Sequence, residues 1–227
     1  MLAKDFIQEI TERYWANHSL SLRDHYILNQ EYQPCSDVTR WSEAVVAVLF
    51  DGSCSCSQAG YSNDVENCKH YGKVKEVKFK PNIQPSKCMD CGTKASPFSR
   101  VCPNCGGKTV KMTDSPISLS QKQYWSNRPD AYVYGHTIWD SLDKPSEGLT
   151  AKIVWNMFRG DDPALETEMT RLSKLKRTCS NTRQRALDTF NLSEVLTIDI
   201  TLSEDNCIVH DIDSNNETIK QRLLESI

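Results

Sequence analysis

Residues 88–107 read CMDCGTKASPFSRVCPNCGG. Two residues separate Cys88 from Cys91, ten separate Cys91 from Cys102, and two separate Cys102 from Cys105. A two-residue spacer lets one tight turn present both sulfurs to a single ion. Two such turns supply four thiolates, which make a closed tetrahedral zinc site. Gly92 and Gly106 each follow the second cysteine of a pair, where the chain often turns left-handed. Pro103 and Asn104 favour the turn itself. With all four positions filled by protein, the ion is expected to be structural rather than hydrolytic. A pair of disulfides is the competing reading. Residues 1–10 include Lys4, Asp5, Gln8 and Glu9 and do not read as an export signal. The expected setting is therefore reducing, cytoplasmic or nucleoid/nuclear, where paired cysteines bind metal more often than they cross-link.

The run Cys-Pro-Asn-Cys-Gly-Gly at 102–107 resembles the zinc-ribbon, or rubredoxin-knuckle, class. A second cysteine pattern lies upstream. Cys54-Ser55-Cys56 is followed after eleven residues by Cys68-Lys69-His70. Three thiolates and one imidazole are candidates for a second tetrahedral set, the competing reading being a lone surface His70 with the cysteines serving elsewhere. This arrangement resembles the SWIM zinc finger, Cys-x-Cys then Cys-x-His, over about residues 41–73. A β-rich run before the first pair and a Cys-Lys-His ending agree with that family. The polar continuation Tyr71-Gly72-Lys73-Val74 departs from the helix that usually closes it. Two structural zinc ions are expected in all. Cys35, Cys179 and Cys207 remain, the last two on apolar faces where thiols are usually inert.

Charge is distributed unevenly along the 227 residues. The formal net charge is −3. Residues 1–68 carry −6, residues 69–128 carry +9 and residues 129–227 carry −6. The basic segment holds Lys69, Lys73, Lys75, Lys78, Lys80, Lys87, Lys94, Arg100, Lys108 and Lys111. Local potential rather than net charge governs encounter with a polyanion. A zinc-stabilised lysine-rich platform can track phosphates. Tyr71, Phe79 and Phe98 among the lysines are candidates to stack on bases, although for Phe79 a place in the core is the favoured reading. Arg171, Lys174 and Arg177 form a second basic stripe, expected on a helix opposite Leu165, Met169 and Leu172. The alternative for every such run is a solvated surface.

The remaining pattern predicts an α+β fold: small zinc-stabilised modules with an α+β C-terminal domain. Leu2, Phe6, Ile7, Ile10 and Tyr14 predict an amphipathic helix, and Trp41–Phe50 predicts a strand entering a turn at Asp51-Gly52. Val74, Val77 and Phe79 predict a strand with a basic face, and Ile153–Phe158 another. Residues 114–150 are expected to be irregular. Asp162-Pro163 opens a helix. Leu196–Leu202 alternates cleanly as a strand, with Cys207–Ile212 as its partner. Asn216 caps a last helix with Ile219, Leu223 and Ile227 facing inward. The expected units are 1–73, 74–113 and 114–227.

The functional expectation is a zinc-binding, nucleic-acid-binding protein, with DNA the first expectation and RNA left open, in a regulatory or accessory role in transcription, replication or recombination. An adaptor docking on a polymerase or recombinase is the first alternative. A metal-dependent nuclease using His136, Asp140, Asp143, Asp161, Asp162, His210, Asp211 and Asp213 is the second. There is no phosphate-binding glycine loop, no Gly-x-Ser-x-Gly elbow and no membrane-length apolar run, so neither an enzyme nor a membrane protein is expected.

Overall fold

The computed structural model describes residues 1–28, 37–55, 63–80, 86–88, 90–95, 102, 104–107, 109–110, 118–139, 149–173, 181–183, 192–203 and 206–227. The fold is α+β. Helix α1 (Ala3–Leu28) and helix α2 (Asp37–Leu49) come first. Short strands β1 (Ser53–Cys54) and β2 (Val65–Glu66) and strand β3 (Lys75–Lys80) follow. Strands β4 (Ser86–Cys88), β5 (Lys94–Ala95) and β6 (Thr109–Val110) make a small separate sheet in the order β5-β4-β6. Strand β7 (Ser118–Ser120) pairs with β10 (Asn181–Arg183). Helix α3 (Gln121–Ser126), strands β8 (Ala131–Trp139) and β9 (Leu149–Arg159), and helix α4 (Pro163–Ser173) come next. Strands β11 (Ser193–Leu202) and β12 (Cys207–Asp213) and helix α5 (Glu217–Leu223) close the chain.

The main sheet has seven strands in the order β1-β2-β3-β8-β9-β11-β12. Strands β3 and β8 run parallel, with Lys75 opposite Ala131. The other pairs are antiparallel. The sheet thus draws strands from all three stretches expected as separate units, and the boundaries at 73/74 and 113/114 do not divide it. The ribbon strands β4–β6 lie within the crossover from β3 to β8. A parallel pair needs a long connection, and here that connection carries the knuckles.

One face of the sheet packs on α1, α2 and α5. Trp15, Trp41, Val45, Phe50, Val133, Trp155, Ile198 and Ile219 belong to this core. Tyr14 stacks on Trp41 at 4.7 Å between ring centres, and Trp41 meets Phe79 edge-on at 4.9 Å. The other face buries Tyr132, Tyr134 and Phe158 under Tyr124 of α3 and Leu165 and Met169 of α4.

Several expectations hold. Helix α4 opens at Pro163 with Asp162 Oδ1 accepting from Ala164 N at 2.7 Å. Strands β11 and β12 pair in the expected hairpin. Asn216 caps α5 by accepting from Ile219 N. Others are corrected. Within the stretch Trp41–Phe50, every residue up to Leu49 belongs to helix α2, because the buried residues Trp41, Val45, Val46 and Leu49 repeat at helical spacing, and Phe50 begins the turn. The stretch 114–150 contains β7, α3 and the nine residues of β8. Ile227 is 51% exposed, since α5 ends at Leu223 and the last residues instead pair with the N-terminus, Ser226 opposite Leu2. No helix among the described residues is long and apolar enough to cross a membrane.

Candidate metal centre

Cys88 ends strand β4 and Cys91 follows it across a turn. The N–H of Cys88 donates to Thr93 O at 2.9 Å, and the N–H of Gly92 donates back to Cys88 O at 3.1 Å. The second knuckle repeats the pattern. Cys102 N donates to Gly107 O at 2.7 Å, and Gly106 N donates to Cys102 O at 2.9 Å. Gly92 and Gly106 have φ of +73° and +72°, as the sequence predicts. The two turns therefore face each other as near copies.

Ligand sulfurs of Cys88, Cys91, Cys102 and Cys105 all lie within 4.8 Å of one another. Cys88 Sγ is 3.5 Å from Cys105 Sγ, and Cys91 Sγ is 3.5 Å from Cys102 Sγ. Disulfide bonds need about 2.05 Å, so these pairs are not cross-linked. Tetrahedral zinc with bonds of about 2.3 Å spaces its sulfurs about 3.8 Å apart. The cluster is therefore near enough to hold one metal ion. Cys88 and Cys102 are buried, whereas Cys91 and Cys105 are exposed.

The electrostatics point the same way. A hydrogen bond from Thr93, helped by its backbone and by Cys105, lowers the Cys91 thiol to about 6. The N–H of Gly107 favours the Cys105 thiolate, but Cys91, Cys88 and Cys102 outweigh it and push that thiol up to about 12. Four sulfurs this close cannot all ionise unless a cation shares the site.

The second proposed set is not assembled in this way. Among the described residues, the four ribbon cysteines are the only group of three or more such ligands drawn together. Cys54 is exposed on β1, opposite Val65 of β2. Cys68 is buried, and desolvation pushes its thiol up. His70 lies two residues on, in the turn that leads to β3. Cys56 lies outside the described residues, as do Cys35 and Cys179. Cys207 is buried on β12, and burial pushes its thiol up to about 12, consistent with an inert core residue.

The basic residues divide sharply. Lys75 is fully buried, and this corrects its assignment to a phosphate surface. Its Nζ donates to Tyr71 O at 3.0 Å and Gly72 O at 2.7 Å and stands 5.2 Å from the centre of the Phe50 ring. Burial lowers its pKa. Lys78 pairs with the buried Glu76. Lys69 pairs with Asp51, and Arg171 makes a two-pronged pair with Glu168. Lys73 is exposed. Lys87 and Lys94 are register partners on β4 and β5. Lys80 ends β3, and its side chain is not described. Arg100, Lys108, Lys111, Lys174 and Arg177 lie outside the described residues. Of the acids considered for catalysis, Asp161 pairs with Arg159, Asp162 caps α4 and Asp211 pairs with Lys4. Asp140 and Asp143 lie outside the described residues.

Sequence reasoning missed one part of the centre: Thr93 and Asn104, whose side chains meet Cys91. Their polar character beside the cysteines was the available signal. No protein-family model, curated protein or solved structure matches the chain.

Proposed function

We propose that the four-cysteine centre holds a structural zinc ion and that the ribbon it folds binds nucleic acid, DNA in the first instance, chiefly through phosphates. The carrying observation is the register of the ribbon hairpin, which sets Lys87 directly opposite Lys94. Like charges at opposed positions cost stability unless an anion balances them. The +9 balance of residues 69–128 extends that pressure around the zinc centre. Metal binding supplies the folding free energy that so short and polar a segment lacks.

A second zinc on Cys54, Cys56, Cys68 and His70, in the manner of a SWIM finger, belongs to the same reading. The antiparallel pairing of β1 with β2 supports it by folding the Cys54 strand back toward the Cys68 turn. The buried Lys75 stays out of the interface, and the exposed Lys73 remains in it. In this reading the protein is an intracellular accessory factor without catalysis of its own. An adaptor role is the second reading, favoured by Trp125, an aromatic left 54% exposed on α3.

The test is DNA affinity against salt. Each phosphate contact adds roughly 0.9 to the log–log slope on duplex DNA. Replacing Lys73, Lys87 and Lys94 together by Gln should weaken binding and flatten that slope by about 2 to 3. Unchanged affinity and slope at low salt would overturn the reading. Capture of a polymerase or recombinase that survives nuclease treatment would favour the adaptor.

A further inference from the structure

The two knuckles are near copies in their backbone, but their surroundings differ. On one side of the centre, Cys91 Sγ and Thr93 Oγ1 are hydrogen-bonded at 3.1 Å. Asn104, from the opposite knuckle, reaches across with Nδ2 to Thr93 Oγ1 at 3.4 Å and to Cys91 Sγ at 3.8 Å. The backbone N–H of the same Asn104 donates to Cys102 Sγ at 3.4 Å. The chemistry of the hydroxyl sets the direction. Asn104 fills one of the two acceptor positions of Thr93 Oγ1 and leaves the hydroxyl hydrogen free for the sulfur. A metal-bound thiolate has no hydrogen of its own and can only accept it.

We propose that Thr93 and Asn104 are positioning residues for the metal centre, forming a clamp that joins the two knuckles across Cys91 and holds its sulfur as an oriented thiolate. The inference rests on the metal reading of the four cysteines. Neither residue is among the four sulfur ligands. Donors to a ligand atom fix its orientation and offset its charge, and losing one typically weakens metal binding by about 10- to 100-fold. The clamp is a property of this chain's side chains, beyond the backbone pattern that the two knuckles share.

The experiment uses the full chain loaded with Co²⁺ and, separately, with Zn²⁺. Thr93→Val keeps the side-chain shape and removes the hydroxyl. Asn104→Ala removes the reach across the site. Thr93→Ser keeps the hydroxyl and serves as the rescue. Three quantities are measured: the sulfur-to-cobalt charge-transfer band, the pH at half release of metal, and the rate of zinc transfer to a chelator. The proposal expects Thr93→Val and Asn104→Ala to shift the band, to raise the pH of half release and to speed transfer about tenfold. Thr93→Ser should behave as the wild type. A merely structural role would leave the band in place. Wild-type values in both disruptive variants would overturn the clamp while leaving the metal site standing. Absence of any thiolate-to-cobalt band in the wild-type chain would overturn the metal reading, and the clamp with it.

Discussion

Asp64 and Glu76 share Lys78 as a counter-ion. Lys78 Nζ pairs with Glu76 and lies 4.0 Å from Asp64 Oδ2. Gln123 donates to the other oxygen of Glu76, and Val77 N donates to Asp64 Oδ2 at 2.7 Å. Glu43 of α2 adds a further negative charge. Burial first, and then Glu76, raise the Asp64 carboxyl from 3.8 to about 7. A folded-state value above the unfolded one means that the folded chain binds more protons between the two. The contribution of Asp64 to stability is therefore greatest at the acid end of that window and falls as pH rises from 3.8 to about 7. Asp64→Asn keeps an oxygen for Val77 N and should flatten this slope when urea midpoints are compared across the window. A slope as steep as the wild type's would refute the assignment. Nearby, Gly72 has φ +92°, and an added Cβ would lie 2.3 Å from Asp130 Cβ. Asp130 is fixed there because Oδ2 accepts from Lys73 N and Val74 N. Gly72→Ala should cost roughly 1–3 kcal/mol, read as a lower urea midpoint. The cysteines of the knuckles were legible in the sequence because their chemistry is local. The burial of Lys75 was not, since it depends on Phe50 arriving from α2.

At the scale of elements, Trp41 ties α2 to the sheet. It is 5% exposed and touches Tyr14, Phe79 and Trp155 with ring centres at 4.7, 4.9 and 5.9 Å. Trp41→Ala should cost about 3–5 kcal/mol in urea unfolding. A loss below about 1 kcal/mol would mean that this helix does not dock as described. The same helix shows why the sequence misled. A short apolar run such as Ala44–Phe50 reads equally well as a strand, and only its flanking turns decide. Strand β8 was hidden for the opposite reason. It is covered on both faces, so the alternation that marks a half-buried strand is lost. Strands β11 and β12 kept that alternation, and α4 and α5 carried their own caps, so these four elements could be read directly.

At the scale of the molecule, the ribbon is an excursion between two adjacent parallel strands. Strand β3 enters it and β8 leaves it, and both are fixed in a sheet that buries most of the core. In the proposed reading, the metal supplies the folding free energy of this small insert. This whole arrangement rests on the four cysteines acting as one ligand set. The most direct measurement is zinc content per chain, compared between the wild type and Cys88→Ser/Cys102→Ser. The account predicts that the double variant holds one zinc ion fewer than the wild type. A wild-type chain without zinc, or a double variant that keeps all the zinc of the wild type, would contradict it.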